Sequence, residues 1–198
     1  MGRPRQVSDR KILEVARACF LEFGPGVSTT VIAERLGVSQ AALFKRFGTK
    51  EELMLAALAP DGGLPWEERV SAGPDDRDIR EQLVEIGAEV LEFLDRLVPC
   101  IAVLRSAGLG LERAHVQDDD APPIRAQRML VEWFERAEAR GRLGPCDTEA
   151  AATAFFAALQ LRAFIRHLGG KALFAESPRA YARRIVETLW AGIAPTGT

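Results

Sequence analysis

Apolar side chains recur every three or four residues along almost the whole chain, and no alternating apolar run is closed by hairpin turns. A helix brings positions i, i+3, i+4 and i+7 to one face, whereas a strand needs a period of two. The pattern therefore predicts an all-α protein. With 198 residues the chain can bury a substantial core, as one large domain or two small ones. Three widely spaced cysteines, Cys19, Cys100 and Cys146, exclude a disulfide scaffold, and two histidines are too few for a His-based metal centre. No metal site and no cofactor is expected. No apolar run approaches the roughly 18 residues of a membrane span and no cleavable signal is read, so a cytoplasmic location away from membranes is expected.

Helix punctuation divides the chain. A first helix is expected over residues 8–23, with the stripe Ile12, Ala16, Phe20 and Phe23, stopped by Gly24-Pro25-Gly26. Ser28, Ser39 and Thr49 are placed to cap three short helices that follow. Residues 60–77 are dense in Pro, Gly and Asp and predict a linker, giving one domain over 1–59 and a second over 60–198. In the second part a helix over 78–95 carries Leu83, Ile86, Gly87, Val90 and Leu94, and Pro99 predicts a kink or a new start. Residues 108–122 predict a loop, and a helix from Pro122 to about 140 turns Met129, Leu130, Trp133 and Phe134 inward. Residues 149–165 are apolar almost all round, and the last helix, from Ser177 to about 194, has two apolar stripes. A helix without a polar face must be covered on all sides. The expected cover is a second copy of the chain, through Phe156, Ala163, Ile185, Leu189 and Trp190.

Charge separates the same two parts. Residues 1–59 carry nine basic and six acidic side chains, whereas the whole chain has 26 basic and 28 acidic. A basic first third on an acidic body points to a polyanionic partner for that third. Within it, residues 28–50 read STTVIAERLGVSQAALFKRFGTK. Small Ala33 permits a close helix crossing, Gly37 can take a positive φ at the turn, and Val38 plugs the corner. Ile32, Leu36, Leu43 and Phe47 pin both helices to the first. The pattern is that of a helix-turn-helix over 28–47.

Together with Lys11-Ile12-Leu13, Phe20, Gly24 and Lys50-x-x-Leu53, this run resembles the DNA-binding domain of the TetR (tetracycline-repressor-type) transcription regulators. The resemblance covers about residues 8–59. It implies an all-α homodimer with an N-terminal three-helix DNA-binding domain and a C-terminal helical domain for ligand binding and dimerisation. It implies double-stranded operator DNA, a second copy of the chain and a small-molecule effector as partners, and no enzyme activity.

Residue roles follow. The start of the third helix faces the major groove, where Gln40 can bond bidentately to adenine and Ala41 and Ala42 offer methyl-scale contacts. Ser28, Thr29 and Thr30 put hydroxyls and helix N-terminal N–H groups where a phosphate can sit. Lys50 resembles the family's phosphate-contacting lysine. Phe44 stands where family members usually carry Tyr, and Arg46 where they often carry His; Lys45 and Arg46 supply charge in place of the lost phenolic hydrogen bond. Arg3 and Arg5, spaced by Pro4, suit a narrow minor groove. In the second domain, Ile86, Val90, Leu94, Met129, Trp133, Phe155 and Leu159 are the expected lining of a pocket for an apolar or aromatic effector. The overall expectation is a repressor released from a palindromic operator by that effector. The alternatives are a DNA-binding regulator without an effector and an all-α enzyme, for which no catalytic set is present.

Overall fold

The computed structural model describes residues 7–59, 63–109, 122–169 and 172–193. Among these every regular element is an α-helix, and none of the helices is long and apolar enough to cross a membrane. The N-terminal helices are α1 (Asp9–Phe23), α2 (Thr29–Leu36), α3 (Gln40–Phe47) and α4 (Lys50–Leu58); then come α5 (Glu67–Ala72), α6 (Ile79–Ser106), α7 (Pro122–Ala139), α8 (Thr148–Gly169) and α9 (Pro178–Ile193). The chain forms two compact units, Met1–Asp61 with Pro99–Val116, and Gly62–Val98 with Gln117–Thr198.

Local chemistry fixes the first unit. Each of its four N-terminal helices begins at a side-chain cap: Ser8 accepts from Lys11 N, Ser28 from Thr30 N, Ser39 from Ala42 N and Thr49 from Glu52 N. Such caps stabilise by about 0.5–2 kcal/mol each. Gly37, at φ 67°, ends α2 in the left-handed conformation that a side chain resists, and lets its own N–H and that of Val38 reach the Glu34 and Ala33 carbonyls. The core joins Ile12, Ala16, Cys19, Phe20, Ile32, Leu43, Leu53 and Leu58 to Cys100 and Leu104. Phe23, expected inside, is half exposed beneath the Arg35 guanidinium, 4.9 Å from its ring centre.

Pro99 neither ends a helix nor starts one: α6 runs through it, and the residues after it pack with the first unit. The lost backbone bond costs about 3 kcal/mol, and burial of Cys100 and Leu104 on the far side offsets it. The second departure is the breaker-rich stretch 60–77. Leu64, Trp66 and Val70 enter the core of the second unit, Val70 from within α5. Its backbone carbonyls are taken up by side chains: Arg136 donates to the Val70 and Ser71 oxygens at 2.8 and 2.9 Å, Arg140 to Pro74 O, and Gln82 Nε2 to the Asp75 and Arg77 oxygens.

The second unit is a helical bundle around Leu83, Ile86, Val90, Leu130, Trp133, Phe134, Phe155, Leu159 and Val186. Gly87 lets three helices meet: a Cβ there would lie 2.9 Å from Ala182 Cβ and 3.1 Å from Phe155 Cζ. Among the described residues one charged side chain is fully buried, Arg162 on α8. Its guanidinium is 3.5 Å from Asp95, donates to Glu176 O at 3.0 Å, and sits 5.2 Å from the Tyr181 ring centre.

The apolar α8 is not covered on all sides. Phe156 and Ala163, expected at a subunit interface, lie inside their own core because they share the face of Ala152, Phe155 and Leu159. Ile185, Leu189 and Trp190 sit half buried at its edge, with the Arg80 guanidinium 5.4 Å from the Trp190 ring centre. The exposed large apolar side chains of α8 are Leu161, Phe164 and Leu168, exposed by 56, 52 and 67%. Their i, i+3, i+7 spacing makes one apolar stripe.

Candidate nucleic-acid interface

The sequence of α3 divides cleanly between inside and outside. Leu43 is buried in the core of the first unit, while Gln40, Ala41, Ala42, Phe44, Lys45 and Arg46 face solvent. Two small residues beside a polar one at the start of an exposed helix leave room for a groove floor. The starts of α2 and α3 are brought together: Gln40 Nε2 donates to Thr29 Oγ1, joining the first residue of each helix. Ser28, Thr30 and Ser39 are exposed around this pair. Two helix N-termini with their caps are thus brought together by this contact, an arrangement that attracts phosphate.

The turn from α3 to α4 is closed by a reciprocal pair of hydrogen bonds. Gly48 has φ 71° and its missing Cβ makes room for Glu52, whose Oε2 would be 2.1 Å away. Glu52 returns to accept from Thr49 N at 2.7 Å while Thr49 Oγ1 accepts from Glu52 N at 3.1 Å. The Thr49 backbone N–H, and then its side chain, hold the Glu52 carboxyl below its ordinary value of 4.5. Lys50, half buried, starts α4 at this turn.

Two expected DNA contacts, Thr29 and Arg46, stand differently from the sequence reading. Thr29 is only 6% exposed and its hydroxyl serves Gln40, so it is not a free phosphate ligand. Arg46 is tied back: its Nη1 donates to Val7 O and to Asp9 Oδ1, the latter at 3.1 Å, which fixes the start of α1 against α3. Phe44 is 38% exposed. Arg3 and Arg5 lie outside the described residues. What sequence reasoning missed was the Thr29–Gln40 and Arg46–Val7 ties. Their only signal was that Thr29 and Gln40 both follow a Ser cap directly.

The expected effector lining is packed shut for the most part. Ile86, Val90, Leu94, Trp133, Phe155 and Leu159 are buried in one core and Met129 is half buried at its edge. A cleft of about 360 Å³ reaches two of them, Ile86 and Trp133, past Arg69, Arg77, Gln82 and Arg140. Burial raises the Cys100 thiol above its ordinary value despite nearby Arg17. Burial and then Glu138 and Asp147 raise that of Cys146, which opposes a reactive thiolate at the start of α8.

An exposed α3 behind a glycine turn, fixed on a three-helix support, is the architecture of a helix-turn-helix DNA-binding regulator. Residues 12–57 match the bacterial regulatory proteins of the tetR family, and residues 81–192 match the C-terminal domain of AefR-like transcriptional repressors. The chain belongs to the tetR family, whose members are transcriptional regulators. It is 38% identical over 90 residues to the HTH-type transcriptional repressor AcnR of Corynebacterium efficiens, a match that spans 45% of this chain and 43% of that relative. Its fold is that of the TetR family regulator PfmR of Thermus thermophilus (22% identity, TM-score 0.66, covering 95% of this chain and all of that one). It also has the fold of SmeT in its complex with triclosan (20% identity, TM-score 0.61, covering 94 and 91%).

Proposed function

We propose that the chain is a repressor that binds a palindromic operator as a homodimer in the cytoplasm and is released by a small apolar or aromatic effector. The observation that carries the reading is the solvent-facing row Gln40, Ala41, Ala42, Phe44 and Lys45 on α3, flanked by the capped starts of α2 and α4. Gln40 reads a base edge, the alanines contact a thymine methyl, and Lys45, Lys50, Ser28 and Thr30 hold phosphates. The match of residues 81–192 to AefR-like transcriptional repressors and the 90-residue likeness to the repressor AcnR support the sign of regulation. The stripe Leu161, Phe164 and Leu168 is the centre of the dimer contact, with Ile185, Leu189 and Trp190 at its rim. Two-fold symmetry then asks for half-sites about 34–36 Å, or a multiple, apart.

The effector enters the second unit at the cleft bounded by Ile86 and Trp133 and opens the core toward Val90, Phe155 and Leu159. Triclosan bound to a protein of the same fold supports a ligand of aromatic character. Ligand and DNA must oppose each other reciprocally, with a typical coupling of about 1–3 kcal/mol, or roughly 5–150-fold in affinity. The test is an electrophoretic shift of the DNA flanking the chain's own gene, followed by a screen of aromatic compounds for loss of that shift. A shift that no compound reverses favours a regulator without an effector. No shift at all with any flanking duplex removes the DNA reading.

A further inference from the structure

We infer that Thr29 is a specificity-positioning residue: its hydroxyl holds the Gln40 side-chain amide in the orientation that reads a base, and does not itself touch DNA. The inference rests on the reading of α3 as the DNA-facing helix and deepens it.

Three observations meet at Thr29. Its side chain is buried although it opens an exposed helix end, so it is closed off from a phosphate. Its hydroxyl is not the cap of α2, because Ser28 Oγ accepts from Thr30 N at 3.2 Å and fills that role. Instead it accepts from Gln40 Nε2, eleven residues away across the turn. A free glutamine at a helix start has three rotatable bonds and can present its amide either way round. Adenine is read by an adjacent donor and acceptor, an N–H to N7 and a carbonyl oxygen from N6–H. Gln40 has two N–H bonds and one carbonyl oxygen. Committing one N–H to Thr29 fixes which end of the amide is which, and leaves one N–H and Oε1 as an ordered donor–acceptor pair. Ala41 and Ala42, the next residues of α3, are too small to hold the amide by packing. Orientation therefore comes from Thr29.

A merely structural tie between α2 and α3 predicts something different. Its loss would loosen the whole motif and weaken every DNA sequence alike. Loss of a positioning contact lowers discrimination at the one base pair read by Gln40.

The experiment is selection of duplexes from a randomised DNA library by the full chain, followed by binding measurements on single-base variants of the selected site. Gln40→Ala identifies the base pair at issue. Thr29→Val keeps shape and burial and removes the acceptor, Thr29→Ala does the same by truncation should the first variant fail to fold, and Thr29→Ser restores the hydroxyl. Thr29→Val, or Thr29→Ala in its place, is expected to lower discrimination at that base pair about fivefold or more, within the roughly 5–150-fold range of a bidentate contact. Thr29→Ser restores it, and Thr29→Val adds nothing on a Gln40→Ala background. Unchanged preference in Thr29→Val, or equal weakening of all sequences, overturns the inference while leaving the DNA reading intact. A wild-type chain that enriches no sequence at all overturns both.

Discussion

Replacing Gly48 by Ala tests whether the α3–α4 turn is held as the geometry implies. Two costs add. The backbone at φ 71°, ψ −101° is one that residues with a Cβ rarely adopt, a strain of about 1–3 kcal/mol. The new Cβ would also lie 2.1 Å from Glu52 Oε2, so the carboxylate must leave Thr49 N and the reciprocal cap is broken, at about 0.5–2 kcal/mol. The smaller unfolded-state entropy of Ala returns about 0.4–1 kcal/mol. The net expectation is a loss centred on about 2.5 kcal/mol, within the roughly 0.5–4.6 kcal/mol that the three ranges span. Urea unfolding followed by far-UV circular dichroism is the assay, because all three tryptophans (Trp66, Trp133, Trp190) belong to the other unit and report on that one. The decisive comparison is a cycle with Glu52→Ala. With the carboxylate gone the steric part disappears, so Gly48→Ala must cost less on that background. Equal costs on both backgrounds, or no shift of the urea midpoint, would refute the coupled turn.

Other expectations follow from charge and surface. Asp95→Ala strips the fully buried Arg162 of its counter-charge and should cost about 3–5 kcal/mol, whereas Arg162→Met should be neutral or stabilising; equal thermal destabilisation by both would contradict this. Hydrogen bonds and arginine partners hold Glu52, Glu81, Asp75 and Asp78 below their ordinary values of 4.5 and 3.8. Lowered carboxylate values stabilise above the ordinary range, and that stability disappears as the pH falls through the folded-state values. Tm should hold down to about pH 4.5 and fall steadily below it, and a Tm that rises on acidification would reverse the sign. Leu161→Asp or Phe164→Asp should give a folded monomer in sedimentation, since neither side chain supports its own core; a wild type that is monomeric at micromolar concentration removes the dimer contact.

The first unit was legible because its determinants are local. Ser caps and stop glycines act on the residues beside them, and the expected starts of α1 to α4 coincide with the observed caps. Long-range capture was not legible. Pro, Gly and Asp in 60–77 read as a linker because nothing local says that Arg136, Arg140 and Gln82, distant in sequence, bind those carbonyls, although Leu64, Trp66 and Val70 carried an apolar signal. At Pro99 a local rule was overruled by burial beyond it. The apolar circumference of α8 announced an uncovered face without saying which side chains formed it. Phe156 faces the core and Phe164 the solvent, a difference set by the rotation of α8 against α7 and α9. The site residues of α3 were readable by type, but the partners of Thr29 and Arg46 belong to tertiary structure.

The central claim is that α3 reads DNA sequence. Its most direct test is the affinity of the wild-type chain for a duplex selected from randomised DNA, measured beside a scrambled duplex of the same length and composition over a range of salt concentrations. The selected duplex should bind on the order of a thousandfold or more tighter. Lys45→Ala should weaken both duplexes alike and lower the salt slope by about one. Equal wild-type affinity for the two duplexes, with the whole of the binding lost to salt, would contradict the central claim.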